Sequence, residues 1–196
     1  MQETFRLSES INPGYVVVTA DATSSRAQAD ISYSIVAGNE RDSFEVLSDS
    51  GELRVRRALD YERIRTYNLW LSAEDRSTDP PLSDVISLTV DISDENDCVP
   101  VFDGLYFNAS VPENEFGSVS VISVTASDCD SGDNGRVTYQ LVSGNQGDAF
   151  SIDAITGNIH TQTMLDRERI DRYLLVVHAT DHVSIVTRYS TAFLNP

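Results

Sequence analysis

Near the middle of the chain lies the run DISDENDCVPVF, residues 91–102, which decides how the rest of the sequence is organised. It is dense in oxygen-bearing side chains and reaches Pro100 just before the next apolar residues. Because a buried central strand tolerates neither this charge density nor a proline, the run is typical of a hinge or a cation-binding segment. The sequence on either side of it forms two similar halves.

A shift of 106 positions places the first half on the second. Tyr33–Asn39, YSIVAGN, recurs as Tyr139–Asn145, YQLVSGN, and 16 of the 43 positions from Tyr33 to Asp75 are identical without a gap. Two copies of one domain also suit a chain of 196 residues. We predict domains at residues 1–98, ending in the acidic linker, and 99–196, ending before a second linker as in a segment of a longer array.

Each copy has the pattern of short β-strands. Alternate residues are apolar along 67–73 and again along 173–179, while 85–90 and 118–125 are rich in β-branched side chains. Turn residues separate these segments and no helical period is sustained, which indicates an all-β protein built from β-sandwiches. Trp70 falls between the buried positions, so we expect it to point outward, either as an adhesive anchor or partly covered by its neighbours.

The charge excludes some functions. With 31 acidic against 14 basic residues the net charge is -17, which disfavours nucleic acid as a partner. No run of about 18 apolar residues occurs, so we predict no direct membrane contact for this segment. Paired carboxylates can mark a glycosidase, but no aromatic-lined cleft accompanies them, and we predict that the protein is not an enzyme.

The acidic motifs contain hard oxygen donors and no histidine, which suits calcium better than zinc. A local calcium loop of the EF-hand type fails, because counting from Asp128 puts Gly132 at the fifth position and Tyr139 at the twelfth, where a glutamate belongs. The ligands must therefore come from distant parts of the sequence and converge at the junction between the two domains. The alternative is that these acids are solvated turn residues.

Several motifs follow one another in a characteristic order: LDYE at 59–62, DENDCVPVF at 94–102, PEN at 112–114, DCD at 128–130, LDRE at 165–168 and ATD at 179–181. This set resembles the extracellular repeats of the cadherin superfamily and covers essentially the whole chain. The resemblance implies two tandem seven-stranded Greek-key β-sandwiches in an elongated array, with up to three Ca²⁺ ions at the linker.

The resemblance also implies which residues hold the ions. The first domain would supply Glu9, Asp60 and Glu62; the linker Asp94, the Glu95 carbonyl, Asn96, Asp97 and the Cys98 carbonyl; the second domain Asp128, Asp130, the Asn134 carbonyl and Asp181. A matching edge without its partner domain consists of Glu113, Asp166 and Glu168.

Two cysteines depart from the family pattern. Cys98 stands where the family usually has asparagine, and Cys129 lies inside the aspartate pair, close to the same ions by the family geometry. We therefore predict a Cys98–Cys129 disulfide; the alternative is two independent thiols. Asn108, in the sequon Asn108-Ala109-Ser110, is a predicted glycosylation site in a secreted chain.

The first domain departs further. Where the second domain has its aspartate pair, the first has Asp21-Ala22-Thr23, so that only Asp21 and Asp75 remain of the acidic set. Either this is the first repeat of its array, or its upstream junction is poor in calcium.

These observations predict the extracellular part of a plasma-membrane protein that acts in calcium-dependent cell adhesion or recognition. Calcium would make the two-domain rod rigid, and its partner would be another cadherin ectodomain, the same or different. The family's strand-swapping adhesion uses a tryptophan at the extreme N-terminus, which this sequence lacks. The alternatives are a non-adhesive spacer or force-bearing segment and, with weaker support, a carbohydrate-binding β-sandwich.

Overall fold

The structure is a computed structural model that describes residues 3–26, 29–104, 106–181 and, as backbone only, 188–195. The chain forms two compact units, Met1–Glu95 and Asn96–Pro196, here called unit 1 and unit 2. The change between them falls inside the acidic linker, and the predicted repeat boundary after Cys98 stays a prediction. Both units are built from strands, which confirms the predicted all-β class.

Unit 1 is a sandwich of two sheets. Its described residues form seven strands: β1 (Glu3–Ser8), β2 (Val16–Thr19), β3 (Ile31–Ala37), β4 (Phe44–Val46), β5 (Glu52–Val55), β6 (Thr66–Asp75) and β7 (Leu82–Ser93). One sheet has the order β1-β7-β6-β3 and the other β2-β5-β4. β1 runs parallel to β7, and the other neighbours are antiparallel.

Unit 2 repeats this plan. Its strands are β8 (Val101–Phe102), β9 (Tyr106–Asn108), β10 (Ser120–Ser123), β11 (Ala126–Ser127), β12 (Val137–Ser143), β13 (Phe150–Ile152), β14 (Asn158–Thr161), β15 (Leu175–Asp181) and β16 (Arg188–Asn195). The sheet β9-β16-β15-β12 matches β1-β7-β6-β3, and β10-β14-β13 matches β2-β5-β4. The short ladder of β8 and β11 is the addition. The internal sequence repeat therefore corresponds to two domains with the same sheet topology.

Period-two alternation builds both cores, as the sequence predicts. Along β6, Tyr67, Leu69 and Leu71 are buried, while Trp70 between them is 46% exposed. The aromatic packing is also repeated. Phe44 meets Tyr67 edge to face with ring centroids 5.0 Å apart, and Phe150 meets Tyr173 in the same way at 4.9 Å.

One repeated glycine shows why part of the shared sequence is required. Gly38 and Gly144 follow β3 and β12 with φ of +78° and +81°, a region that other residues rarely adopt. A Cβ atom at either position would lie 1.7 Å from a backbone oxygen, that of Asn68 or of Leu174. Both glycines therefore permit a close approach to the neighbouring strand.

A disulfide closes unit 2 next to the linker. The Sγ atoms of Cys98 and Cys129 are bonded, their Cα atoms lie 5.8 Å apart, and their sequence separation is 31. The bond ties the start of unit 2 to the loop between β11 and β12.

The core of unit 1 can be tested with matched leucines. Leu53 in β5 has no exposed surface and Leu82 in β7 is 59% exposed. Leu53→Ala should lower the free energy of unfolding by about 2–5 kcal/mol through lost burial and a cavity, whereas Leu82→Ala should change it by less than about 1 kcal/mol. Urea unfolding followed by the fluorescence of Trp70, the single tryptophan of the chain, reports on unit 1. Equal losses would contradict this description of the core.

The disulfide provides a second test. Replacing both cysteines, Cys98→Ser with Cys129→Ser, should destabilise unit 2 by about 3–4 kcal/mol, because a loop of this length is no longer closed in the unfolded chain. Scanning calorimetry would measure the unit 2 transition, and Trp70 fluorescence, a signal from unit 1, serves as the internal control. An unchanged unit 2 transition would show that the bond does not stabilise the unit.

Candidate metal centre

Three carboxylates of unit 1 meet where the end of β1, the turn after Asp60 and the end of β7 come together. Oxygen atoms of Glu9, Glu62 and Asp94 lie within 4.8 Å of one another. Like charges at this distance repel, and a divalent cation bound by these oxygens would turn the repulsion into attraction. We call Glu9, Asp60, Glu62, Asp94 and Glu95 the unit 1 acidic edge.

Glu9 organises this edge through the backbone. Its side chain is buried; Oε2 accepts a hydrogen bond from the Tyr61 N–H at 2.6 Å, and Oε1 accepts one from the Glu95 N–H at 2.8 Å. One carboxylate thus holds both the turn that carries Glu62 and the segment that carries Asp94. Each of its oxygens has a further lone pair for a cation.

Two predicted ligands of this edge have other partners. Asp60 Oδ1 accepts from the Arg63 N–H at 3.0 Å, and its Oδ2 lies 3.1 Å from Arg63 Nε in an exposed ion pair. The structure therefore places Asp60 at the edge but not in the three-carboxylate group. Glu95 Oε1 accepts from the Ser8 hydroxyl at 2.5 Å, while its predicted contribution is its carbonyl oxygen.

Two aspartates of unit 2, Asp128 and Asp130, lie beside the start of its chain. Asp130 and Asp181 are 8% and 2% exposed. The Cys98 N–H donates to both carboxylate oxygens of Asp130 at 3.2 Å, and the Asp130 N–H donates to Asp128 Oδ1 at 3.0 Å. We use the name unit 2 acidic edge for six residues: Asn96, Asp97, Asp128, Asp130, Asn134 and Asp181.

This edge contains buried oxygen atoms without a donor. Within the described part of the chain, Asn96 Oδ1 and Asp128 Oδ2 are buried and accept no hydrogen bond. Asn96 Nδ2 donates to the Asn134 carbonyl at 3.5 Å, so the amide is oriented while its oxygen is left over. An unsatisfied buried acceptor costs about 1–3 kcal/mol. An oxygen-seeking cation would supply what these atoms lack, so the residues fit calcium.

The disulfide limits which metal these residues could bind. Asp128 and Asp130 flank Cys129. Together with Cys98, these three residues form a close group of four side chains. Because the two sulfurs are bonded to each other, neither is a thiolate. The remaining donors are oxygens, which suits calcium and not zinc.

Gly135 has a role that the sequence analysis did not identify. A Cβ atom at this position would lie 2.2 Å from the Asp130 carbonyl oxygen. The loop after Asp130 can therefore fold back and present the Asn134 carbonyl only with glycine there. The Asp-Asn-Gly run signals a turn, but it does not say what the turn approaches.

The outer acidic group of unit 2 has the geometry of the unit 1 edge. Oxygens of Glu113, Asp166 and Glu168 lie within 4.8 Å of one another. Glu113 Oε2 accepts from the Arg167 N–H at 2.7 Å, as Glu9 does from Tyr61. The same hydrogen bond, from the backbone of a turn to a glutamate carboxylate, thus occurs in both repeats.

The glycosylation and membrane predictions concern the surface. Asn108 ends β9 and is exposed, where a glycan has room, and its modification stays a prediction. The described residues include no helix long and apolar enough to cross a membrane.

Comparison with known proteins identifies the family. Residues 3–93 and 107–195 each match the Cadherin domain family. The chain is 38% identical over 180 residues to human Protocadherin Fat 1, covering 91% of this chain and 4% of that protein. It is equally identical over 180 residues to human Cadherin EGF LAG seven-pass G-type receptor 2, covering 90% of this chain and 6% of that one.

Solved structures of cadherin repeats also resemble this chain. Repeats EC22-24 of mouse Cadherin-23 superpose with a TM-score of 0.88 at 28% identity, covering 99% of this chain and 62% of that one. Repeats EC21-23 of the human protein give 0.85 at 26% identity, covering 98% and 70%. The chain belongs to the cadherin superfamily, as two consecutive extracellular cadherin repeats.

Proposed function

We propose that this segment acts in calcium-dependent adhesion or recognition, with calcium bound by both acidic edges of the linker. The observation that carries the proposal is the pair of buried, unsatisfied oxygens of Asn96 and Asp128 in a setting of ordered aspartates. The proposed ligands are the twelve residues that the family resemblance implies: Glu9, Asp60, Glu62, Asp94, Glu95, Asn96, Asp97, Cys98, Asp128, Asp130, Asn134 and Asp181.

The linker sequence supports a shared site. Asp94 belongs to the unit 1 acidic edge and Asn96 to the unit 2 edge, and one residue separates them. Two residues span at most about 7 Å of extended chain, so ligands from both edges are covalently tied within reach of common ions. We propose up to three Ca²⁺ ions there.

The proposed mechanism is mechanical. Without calcium the carboxylates repel one another and the linker bends freely. With calcium the charges are bridged and the two repeats keep a fixed relative orientation. Extracellular calcium modules bind at about 0.1–1 mM, and binding to the folded state also stabilises it. A fixed orientation lowers the entropy lost when a partner binds.

The relatives suggest where this happens. The name of one of them describes a seven-pass receptor, and we propose that this chain is likewise part of the extracellular region of a plasma-membrane protein. Its partner would be another cadherin ectodomain, identical or different.

A second function is also supported. The chain spans about 4–6% of the length of the curated relatives named above, so those relatives are far longer. In so long a protein, a pair of repeats can serve as a spacer that bears force without an adhesive face of its own.

Self-association separates the two proposals. Beads coated with the chain should aggregate in 2 mM calcium and disperse in EDTA if the segment adheres to itself, and sedimentation velocity should then show a calcium-dependent dimer. A monomer at about 100 μM in calcium, with dispersed beads, would support the spacer. Dispersed beads that aggregate when mixed with beads carrying another cadherin ectodomain would indicate heterophilic recognition.

The bridging mechanism predicts a conditional effect for one linker residue. Asp97→Ala should lower the melting temperature by several degrees more in 2 mM calcium than in EDTA, because the contribution of its carboxylate to a bound ion is lost only when calcium is present. The exposed Asp171 of the same unit gives the matched control, Asp171→Ala, which should change neither. Equal losses for Asp97→Ala in both buffers would exclude bridging by this residue.

A further inference from the structure

The two repeats can be aligned at their aspartate loops by equivalent hydrogen bonds. In unit 1 the Ala22 N–H donates to the Tyr33 hydroxyl at 3.0 Å, and in unit 2 the Ala126 N–H donates to the Tyr139 hydroxyl at 2.9 Å. Tyr33 and Tyr139 are counterparts in the internal repeat. Ala22 and Ala126 therefore occupy equivalent positions.

A second pair of hydrogen bonds extends this alignment. The Arg26 N–H donates to Ser24 Oγ at 3.2 Å, just as the Asp130 N–H donates to Asp128 Oδ1 at 3.0 Å. Ser24 thus stands in the place of Asp128, and Arg26 in the place of Asp130. This corrects the sequence alignment, which set Asp21-Ala22-Thr23 against the aspartate pair.

The exchange reverses the charge at these two positions. Two carboxylates, with a charge of -2, are replaced by a hydroxyl and a guanidinium, with a charge of +1. A hydroxyl that donates a hydrogen bond directs its proton where an ion would bind, and a guanidinium repels a cation. Both changes oppose calcium binding.

The carboxylate of Asp75, at the end of β6 beside this loop, is already satisfied by the protein. Asp75, the counterpart of Asp181, is 8% exposed. Its Oδ1 accepts from the Ser77 hydroxyl at 2.6 Å, the Ser77 N–H at 3.0 Å and the Asp30 N–H at 3.3 Å, and its Oδ2 accepts from the Ser24 hydroxyl at 3.1 Å. Four donors point at one carboxylate.

These donors explain its acidity. The Ser77 hydroxyl and then the Ser77 N–H lower the pKa of Asp75 from 3.8 to about 2, with smaller help from Asp30 and Ser24 and against the opposing effect of burial. The folded pKa is below the unfolded one, so the carboxylate is charged and stabilising at neutral pH. That stabilisation is lost only as the pH falls from about 3.8 toward 2.

We infer that unit 1 has replaced the calcium edge of its repeat by a cluster of protein hydrogen-bond donors, so that Asp75 is held without a cation. The calcium dependence of unit 1 is then confined to the Glu9 end of the repeat. A junction made at the Asp75 end would lack the aspartate ligands that unit 2 offers at its own edge. That Asp75 is held without a cation concerns a region outside the proposed calcium site and is independent of it; the confinement of calcium dependence to the Glu9 end rests on the proposed function.

Asp75→Asn tests the inference. It should lower the melting temperature of unit 1, read by Trp70 fluorescence, by several degrees and by the same amount in 2 mM calcium and in EDTA. The number of calcium ions bound per chain, measured by equilibrium dialysis, should equal that of the unsubstituted chain. A larger loss in calcium than in EDTA, or one fewer ion bound, would overturn it.

A milder variant covers the case in which Asp75→Asn does not fold. Ser24→Ala removes one donor, and it too should lower the melting temperature equally in both buffers without changing the calcium count. No change in either buffer would show that the donors do not hold Asp75 and would also overturn the inference. Asp181→Asn in unit 2 provides the contrast, since it should lower the melting temperature of unit 2 more in calcium than in EDTA; equal losses in both buffers would count against the proposed function and not against this inference.

Discussion

The arrangement of the unit 1 acidic edge depends on hydrogen bonds to the buried carboxylate of Glu9. The two carboxylate oxygens of Glu9 accept hydrogen bonds from backbone N–H groups in the turn after Asp60 and in the linker. Hydrogen bonds to a charged group are worth about 1.5–3 kcal/mol each, so they offset part of the repulsion between the neighbouring carboxylates. Unit 2 has the equivalent of the first of these contacts, since the Arg167 N–H donates to the Glu113 carboxylate.

The cores and the edges of the two repeats have diverged to different degrees. The core keeps the same aromatic pair at nearly the same spacing, because a densely packed interior penalises any change of volume or shape. The loop edges face fewer restraints. There a serine and an arginine stand where the second repeat has two aspartates, and the backbone hydrogen bonds survive the exchange.

Much of the fold could be predicted from residues alone. The alternation around Trp70 separates buried from exposed side chains, since successive residues of a strand face opposite ways, and the ungapped repeat from Tyr33 to Asp75 establishes two copies. The edges were harder to predict. Asp60 stays a predicted ligand, and the sequence does not show that its carboxylate also pairs with Arg63, because that contact depends on how one turn presents its side chains.

A difference in loop length explains why the sequence comparison misaligned the loop that carries the aspartate pair in unit 2. Eleven positions separate Ala22 from Tyr33 and thirteen separate Ala126 from Tyr139, so an ungapped comparison misplaces this loop. By itself the sequence determined the fold class, the repeat and the oxygen-rich chemistry of the linker, because these follow from periodicity, identity and composition. Only the tertiary structure decided which carboxylates meet and which are already satisfied by donors, because both depend on contacts between residues far apart in sequence.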